Sequence, residues 1–595
     1  MTKARRMILL LLAVTLVVAA RPSSTQEGKS VFDEIRREHQ WIEKHLHEQA
    51  PVMLTAPPAR SPVRLQALTA APQTIDVQHY RLQIRFDPDA LFFAGIVTIE
   101  ALTTAPTTAV IINEFDNLDF HAVRLNVDNN SYSFLRKNNR LRINFDEALP
   151  AGRNLTIDIA YQGRLVITNG QGDGMLVSRH GPDATIVMAN LSEPYAAPSW
   201  WPCIDDVRDK ATSEVEITVP QSYVGASNGV LTKTVTNPDQ TTTYFWREDY
   251  PLTTYLISAA VTNYAKFEDT YTAMDGRTMP LVFYVYPEHL AQAEQKFAVT
   301  RQAMEIFASL YGEYPFINEK YGMVEFPWNG GMEHQTLTSL GSSIIGSATN
   351  SAQSIIAHEL AHQWWGDLVT LRTWDDIWLN EGFATYSEVL FAERFAHLDA
   401  GEVMSRSYDD GEVFGRLGGT VTAENLADPF DDTGAVYRKG AWTLHMLRHL
   451  MGDETFFATL KDYRQRFSFG SASTKDFQQV CEEHYGDTLD WFFQQWIYAP
   501  GRPVYKVSSE ISPADAAGHY TVSLVIKQKQ SHAIPNRADS VYIMPLDVTI
   551  HYTDGTSETR VVRNDKRKQS FAFSVPKAPA SVGLDEGHWV LKKVK

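Results

Sequence analysis

Two cysteines in 595 residues, Cys203 and Cys481, exclude a fold built on a disulfide framework. A chain of this length buries enough core to need no covalent staple, so both are expected to be buried free thiols. Positive charge is also scarce. Lys and Arg number 54 against 71 Asp and Glu, and the net charge of −17 leaves no basic face for nucleic acid. Long apolar runs are lacking as well. The marked run, Met7 to Val18, is too short to cross a bilayer comfortably, and no stable membrane insertion is expected. With Lys3, Arg5 and Arg6 before it and "VAA" just ahead of Arg21, it reads as a signal peptide over residues 1–20. The expectation is an exported protein, periplasmic or extracellular. No internal repeat or low-complexity tract interrupts the rest.

What is present is ordinary globular material, 44% hydrophobic and 21% charged, in a chain long enough for several domains. Residues 21–73 hold a polar helix-like segment ("SVFDEIRREHQWIEKHLHEQ") and a Pro/Ala-rich linker. From 74 to 266 alternating runs such as "HYRLQIRF", "LTIDIAYQG" and "SEVEITVP" predict a β domain. From 267 to 499 helical periods take over, as in "PEHLAQAEQKFAVTRQAMEIFASLYG" and "VYRKGAWTLHMLRHLMG". From 500 to 595 strands return ("HYTVSLVIKQ", "SVYIMPLDVTIHY"), and a C-terminal β-sandwich is expected. The fold class is multidomain α+β.

The chemistry concentrates in "IIAHELAHQWWGD", Ile355 to Asp367. With 18 His in the chain, H-E-x-x-H arises by chance about 0.03 times. On a helix, His358 and His362 fall about 40° apart and can reach one metal ion together. Glu359, rotated by about 100°, would sit beside that ion, where a base is wanted. Asn350 or Ser351 can cap this helix and Gly366 can end it. A catalytic zinc takes three protein ligands and leaves one position open. Glu381, separated from His362 by eighteen residues and near the start of the amphipathic stretch "WLNEGFATYSEVLFAERF", is the candidate third ligand, its alternative being a solvated cap.

Several motifs stand in order along the chain: "EPYAAPSWWPCIDDVRDKAT" (Glu193 to Thr212), "GGMEH" (Gly330 to His334), the zinc signature with Glu381, and "VYRKGA" (Val436 to Ala441). Together they resemble the gluzincin aminopeptidases of the aminopeptidase N family, and more closely its short, leukotriene-hydrolase-like bacterial members. The resemblance covers about residues 74 to 595. It implies a thermolysin-like catalytic domain with one Zn2+ held by His358, His362 and Glu381. It implies Glu359 as the proton shuttle and Tyr437 as hydrogen-bond donor to the oxyanion. Glu193 and Glu333 would bind the α-ammonium of a peptide with a free N-terminus, and Gly330, Gly331 and Met332 would line the substrate. Glu388, on the face of Glu381, would support a zinc histidine. The chain departs from the family pattern at His334, where Asn is usual, and at Leu191, where Gln is common. It also stops after the sandwich without the family's large helical C-terminal domain, which implies a more open cleft.

The implied activity is hydrolysis of the N-terminal peptide bond, with endopeptidase action as the alternative and an inactive binding protein behind it. His445 and His449 form another i, i+4 pair but lack a third ligand, and His39, His45 and His47 carry less. Asn129, Asn154 and Asn190 begin N-x-S/T sequons. Oligomeric state, preferred first residue and any epoxide-opening side activity are not legible in the sequence.

Overall fold

The computed structural model describes residues 74–126, 131–347, 352–409, 421–423, 428–531, 534 and 540–595. The expected signal peptide, the segment 21–73 with its three histidines, Asn129, and the caps Asn350 and Ser351 lie outside these residues.

The N-terminal region is built on a seven-stranded sheet ordered Val230–Thr236, Thr241–Leu252, Ala211–Pro220, Ile75–Asp87, Phe92–Thr103, Asn154–Arg164, Leu118–Leu125. Ile75–Asp87 runs parallel to Ala211–Pro220 and antiparallel to Phe92–Thr103. Its buried residues change phase, from Ile75 and Val77 to Tyr80, Leu82, Ile84 and Phe86. A register shift between Val77 and His79 absorbs the extra residue, so both apolar sets face one core. A four-stranded sheet lies next to it, and its strand Thr185–Leu191 leads directly into Glu193.

Helical structure does not begin at 267. The strand Ala265–Thr272 spans that position and opens a five-stranded sheet with Thr278–Val285, Tyr321–Phe326, Thr338–Gly341 and Gly331–Met332. Tyr321–Phe326 and Thr338–Gly341 are buried at every position, so they lack the alternation by which a strand is recognised. Gly331–Met332 forms the edge of this sheet, paired on one side with Thr338–Gly341. The long helical stretch after Pro287 is two helices, Leu290–Phe297 and Thr300–Tyr311.

Three helices frame the candidate site: α1 (Ala352–Ala361), α2 (Trp378–Phe395) and α3 (Gly440–Met451). α1 ends before His362 and not at Gly366, although the His362 amide still bonds the His358 carbonyl at 3.3 Å. α2 is not amphipathic. Every residue from Trp378 to Ala392 is buried, and its polar positions point into the protein rather than to solvent. α2 and α3 cross at Gly382 and Gly440, where a Cβ on Gly382 would lie 3.0 Å from the Gly440 Cα. Any side chain there would push the helices apart.

The C-terminal strands form a four-stranded and a three-stranded sheet. Val522 and Val575 of the first share a buried cluster with Ile550 and Tyr552 of the second. This region meets α3 through Trp589, whose ring stacks on His445 and His449 at 4.7 and 4.9 Å. The His445 Nε2 donates to the His588 carbonyl at 3.2 Å. This histidine pair braces a seam. Cys203 and Cys481 are both buried free thiols. Among the described residues no helix is long and apolar enough to cross a membrane.

Candidate active site

α1 and the start of α2 bring His358, His362 and Glu381 to one point. The His358 Nε2 lies 3.1 Å from the His362 Nε2 and 3.2 Å from the Glu381 Oε2, and the latter two are 3.4 Å apart. A tetrahedron with zinc-ligand bonds of about 2.0–2.1 Å has edges of about 3.4 Å. The donor set therefore fits a zinc ion in number, type and spacing.

Each histidine has its far nitrogen occupied. The His358 Nδ1 donates to the Glu388 Oε1 at 2.9 Å, and the His362 Nδ1 donates to the Trp365 carbonyl at 2.9 Å. These bonds fix the tautomer in which both Nε2 lone pairs face the common point. Glu388 is held in turn by the hydroxyls of Ser354 and of Tyr408, the latter at 3.0 Å. Electrostatics agree with geometry. Burial opposes protonation of His362, yet Glu333 and Glu381 raise its pKa to about 9. Burial works to raise the Glu381 carboxyl, but the histidines hold it down to about 2. The cluster attracts a cation.

Glu359 is 6% exposed beside these ligands. Burial pushes its carboxyl up to about 8 against the pull of both histidines. A Cβ on Gly331 would lie 2.1 Å from the Glu359 Oε1, so glycine here is what lets the edge strand approach the base. Tyr437 sits on a π-helical turn, Gly434–Lys439, that feeds α3. Its ring lies nearly parallel to that of His358 at 6.0 Å. Burial, then the charges of Glu381 and Glu193, raise its pKa well above the usual phenol value, so it stays a proton donor. π-Turns of this kind are frequent at functional sites.

Glu193 and Glu333 approach from different regions. Burial raises the Glu193 carboxyl well above its usual range, and the Glu333 charge adds to this. Among the described residues the buried Glu193 Oε1 has no hydrogen-bond partner. Except for Tyr408, Trp365 and the residues of Gly434–Lys439 other than Tyr437, all the site residues named so far line one cleft of about 540 Å³, together with Leu191, Gly330 and Met332.

Two departures from the family pattern have a structural account. His334 is fully buried and does not line the cleft. Its Nε2 accepts from the Asn190 Nδ2 at 3.2 Å and its Nδ1 donates to the Ser339 Oγ at 2.8 Å. Burial lowers its pKa to about 3, so it bonds as a neutral ring. It ties the edge-strand turn to the segment before Glu193. Asn190 is 1% exposed and engaged in this bond, so it is no glycan acceptor, whereas Asn154 is exposed. Leu191 gives the cleft an apolar wall. Sequence reading missed Asp173, Asp428 and Asp431 in the cleft lining, and Tyr255 behind Glu333. These lie in loops or far off in sequence, and no local pattern marks them.

The profile of the Peptidase M1 N-terminal domain matches residues 76–256, and that of the Peptidase family M1 domain matches residues 295–496. Aminopeptidase M1-A of Oryza sativa subsp. japonica is 28% identical over 461 residues, covering 72% of this chain and 51% of the relative. Glutamyl aminopeptidase of Bitis rhinoceros is 27% identical over 449 residues, covering 71% of this chain and 44% of the relative. The chain thus spans about half the length of these curated relatives. The crystal structure of Legionella pneumophila aminopeptidase A in complex with aspartic acid superimposes with a TM-score of 0.73 at 19% identity, over 89% of this chain and 60% of that one. At that identity the likeness speaks for the fold. Both M1 profiles match in their proper order, and the catalytic profile encloses the His358–His362–Glu381 cluster: the chain belongs to peptidase family M1.

Proposed function

We propose that the protein is a zinc aminopeptidase that removes single residues from peptides with a free N-terminus. The observation that carries this reading is the juxtaposition, in one cleft, of a zinc-fitting triad with two buried carboxylates, Glu193 and Glu333. His358, His362 and Glu381 would hold the ion, which when bound supplies activation of a water and polarisation of the scissile carbonyl. Glu359 takes the proton from the attacking water and passes it to the departing amine, a role suited to a carboxyl poised near neutrality. Tyr437 donates to the oxygen that becomes negative in the tetrahedral state. Glu193 and Glu333 accept the substrate ammonium and set the register, so that the first peptide bond meets the base. The free edge of Gly331–Met332 can take the substrate backbone as a further strand.

On this reading a β domain, a thermolysin-like catalytic domain and a C-terminal β-sandwich follow one another from 74 to 595, with the boundary expected at 267 moved ahead of the strand Ala265–Thr272. Export through a signal peptide over residues 1–20 belongs to the same proposal. The test is a panel of chromogenic aminoacyl amides and a free peptide, assayed with and without a chelator. Stepwise release of N-terminal residues, abolished by chelation and restored by zinc, is the expected result. Internal fragments from the peptide, or turnover untouched by chelation, would count against it.

A further inference from the structure

We propose that Tyr255 is a positioning residue that aims the Glu333 carboxylate at the substrate ammonium. The inference rests on the aminopeptidase reading and adds to it a part that lies outside the cleft. Glu333 is 2% exposed, and its Oε1 accepts from the Tyr255 hydroxyl at 3.5 Å. Among the described residues this phenol is the one side chain recorded as donating to that carboxylate.

Tyr255 is itself held on three sides. Its backbone lies in the short 3-10 turn Thr254–Leu256, fastened by the Thr254 hydroxyl donating to the Asp205 Oδ1 at 2.8 Å. Its ring meets Trp374 edge-on at 5.3 Å. Its hydroxyl oxygen accepts from the Asn380 Nδ2 at 3.3 Å. A phenol has one proton, and with the Asn380 amide on its lone pair that proton is directed to Glu333. Burial, and then the Glu333 charge, drive the phenol pKa far up, so the donor is never lost to ionisation.

The chain Asn380–Tyr255–Glu333 joins two parts of the site that the sequence keeps apart. Asn380 precedes the candidate zinc ligand Glu381 on α2, and Tyr255 comes from the N-terminal region, 78 positions before Glu333. One oxygen of Glu333 is thereby fixed and the other left for the ligand. Glu193, whose buried Oε1 has no partner, lacks such a fastening. The two anchors thus differ: Glu333 defines where the ammonium sits, and Glu193 adjusts to it.

The test uses the full chain loaded with zinc. Y255F should raise KM for a free-amine aminoacyl amide by about 10-fold and leave kcat within about twofold, because only the placement of the ammonium changes. Zinc content should stay at about one per chain, and the rate on an N-acetylated substrate should not move. In an E333Q background the same substitution should add almost nothing, since the hydroxyl acts through that carboxylate. N380S, which loosens the other partner of the hydroxyl, should raise KM in the same direction by less while keeping zinc. It serves as the second variant should Y255F fail to fold. A wild type that discriminates free from acetylated substrate beside a Y255F protein of unchanged KM overturns this inference alone. So does an equal loss in the E333Q background. A wild type with equal rates on both substrates overturns the aminopeptidase reading and this inference together.

Discussion

The triad and the proposed amine anchor, Glu193 with Glu333, line one cleft yet are built in opposite ways. The triad comes from positions 358 to 381, where the end of α1, the residue just past it and the start of α2 meet in the core. Each of its histidines has a second partner, Glu388 or the Trp365 carbonyl, and its charges of opposite sign compensate one another. The anchor joins positions 193 and 333, one following a strand of the N-terminal region and the other an edge strand. Both of its side chains are carboxyls, and among the described residues the buried Glu193 Oε1 has no hydrogen-bond partner. An uncompensated buried charge costs several kcal/mol unless the group neutralises or finds a counter-ion. The triad is thus a finished structure whose spacing suits an ion of fixed size. On the proposed reading the anchor is completed by the ammonium that arrives with the substrate. Specificity for chain ends would follow from that incompleteness.

Substitutions can sharpen this contrast. The largest effect is expected in the triad, where His362→Ala should lose the metal, measured by elemental analysis, and with it all activity above background. Glu359→Gln should keep about one zinc per chain but lower kcat about 10³- to 10⁴-fold, because no group remains to move the proton. Tyr437→Phe should lower kcat by about 10²- to 10³-fold with little change in KM, as one transition-state hydrogen bond is lost. An effect confined to KM would make Tyr437 a binding residue. The smallest effect separates the two regions by stability. Glu193→Gln removes the uncompensated charge, so calorimetry should find Tm unchanged or raised by about 1–2 °C while KM for free-amine substrates rises. A clear fall in Tm would mean that Glu193 holds the fold together, contrary to the account.

What the sequence disclosed follows the same division. The spacing of His358, Glu359 and His362 is a local helical property, so their convergence could be read from periodicity, whereas the ligand count asked only for a third ligand and left Glu381 open between that and a solvated cap. The strands of the N-terminal region alternate because one face of each is wet, and they too were legible. Tyr321–Phe326 was not, since a strand buried on both faces has no alternation to show. α2 looked amphipathic because Asn380, Glu381 and Glu388 are polar, yet they face the site and its supports rather than water. Asn190 looked like a sequon because three residues carry no record of burial. Tyr255 was invisible for a different reason. Its partner Glu333 is brought to it by tertiary folding, and tyrosine in "TTYL" is unremarkable in a β-rich stretch.

The central claim is that Glu193 and Glu333 select the chain end by requiring an ammonium. It is tested most directly by measuring kcat/KM on one peptide with a free N-terminus and on the same peptide N-acetylated. Leaving two buried carboxylates unpaired should slow the acetylated form by at least about 100-fold, as in other sites whose polar groups lose their partner. Glu333→Ala should lower the rate on the free peptide and narrow that ratio. Comparable rates on the two peptides, with cleavage at internal bonds, would contradict the account and favour an endopeptidase.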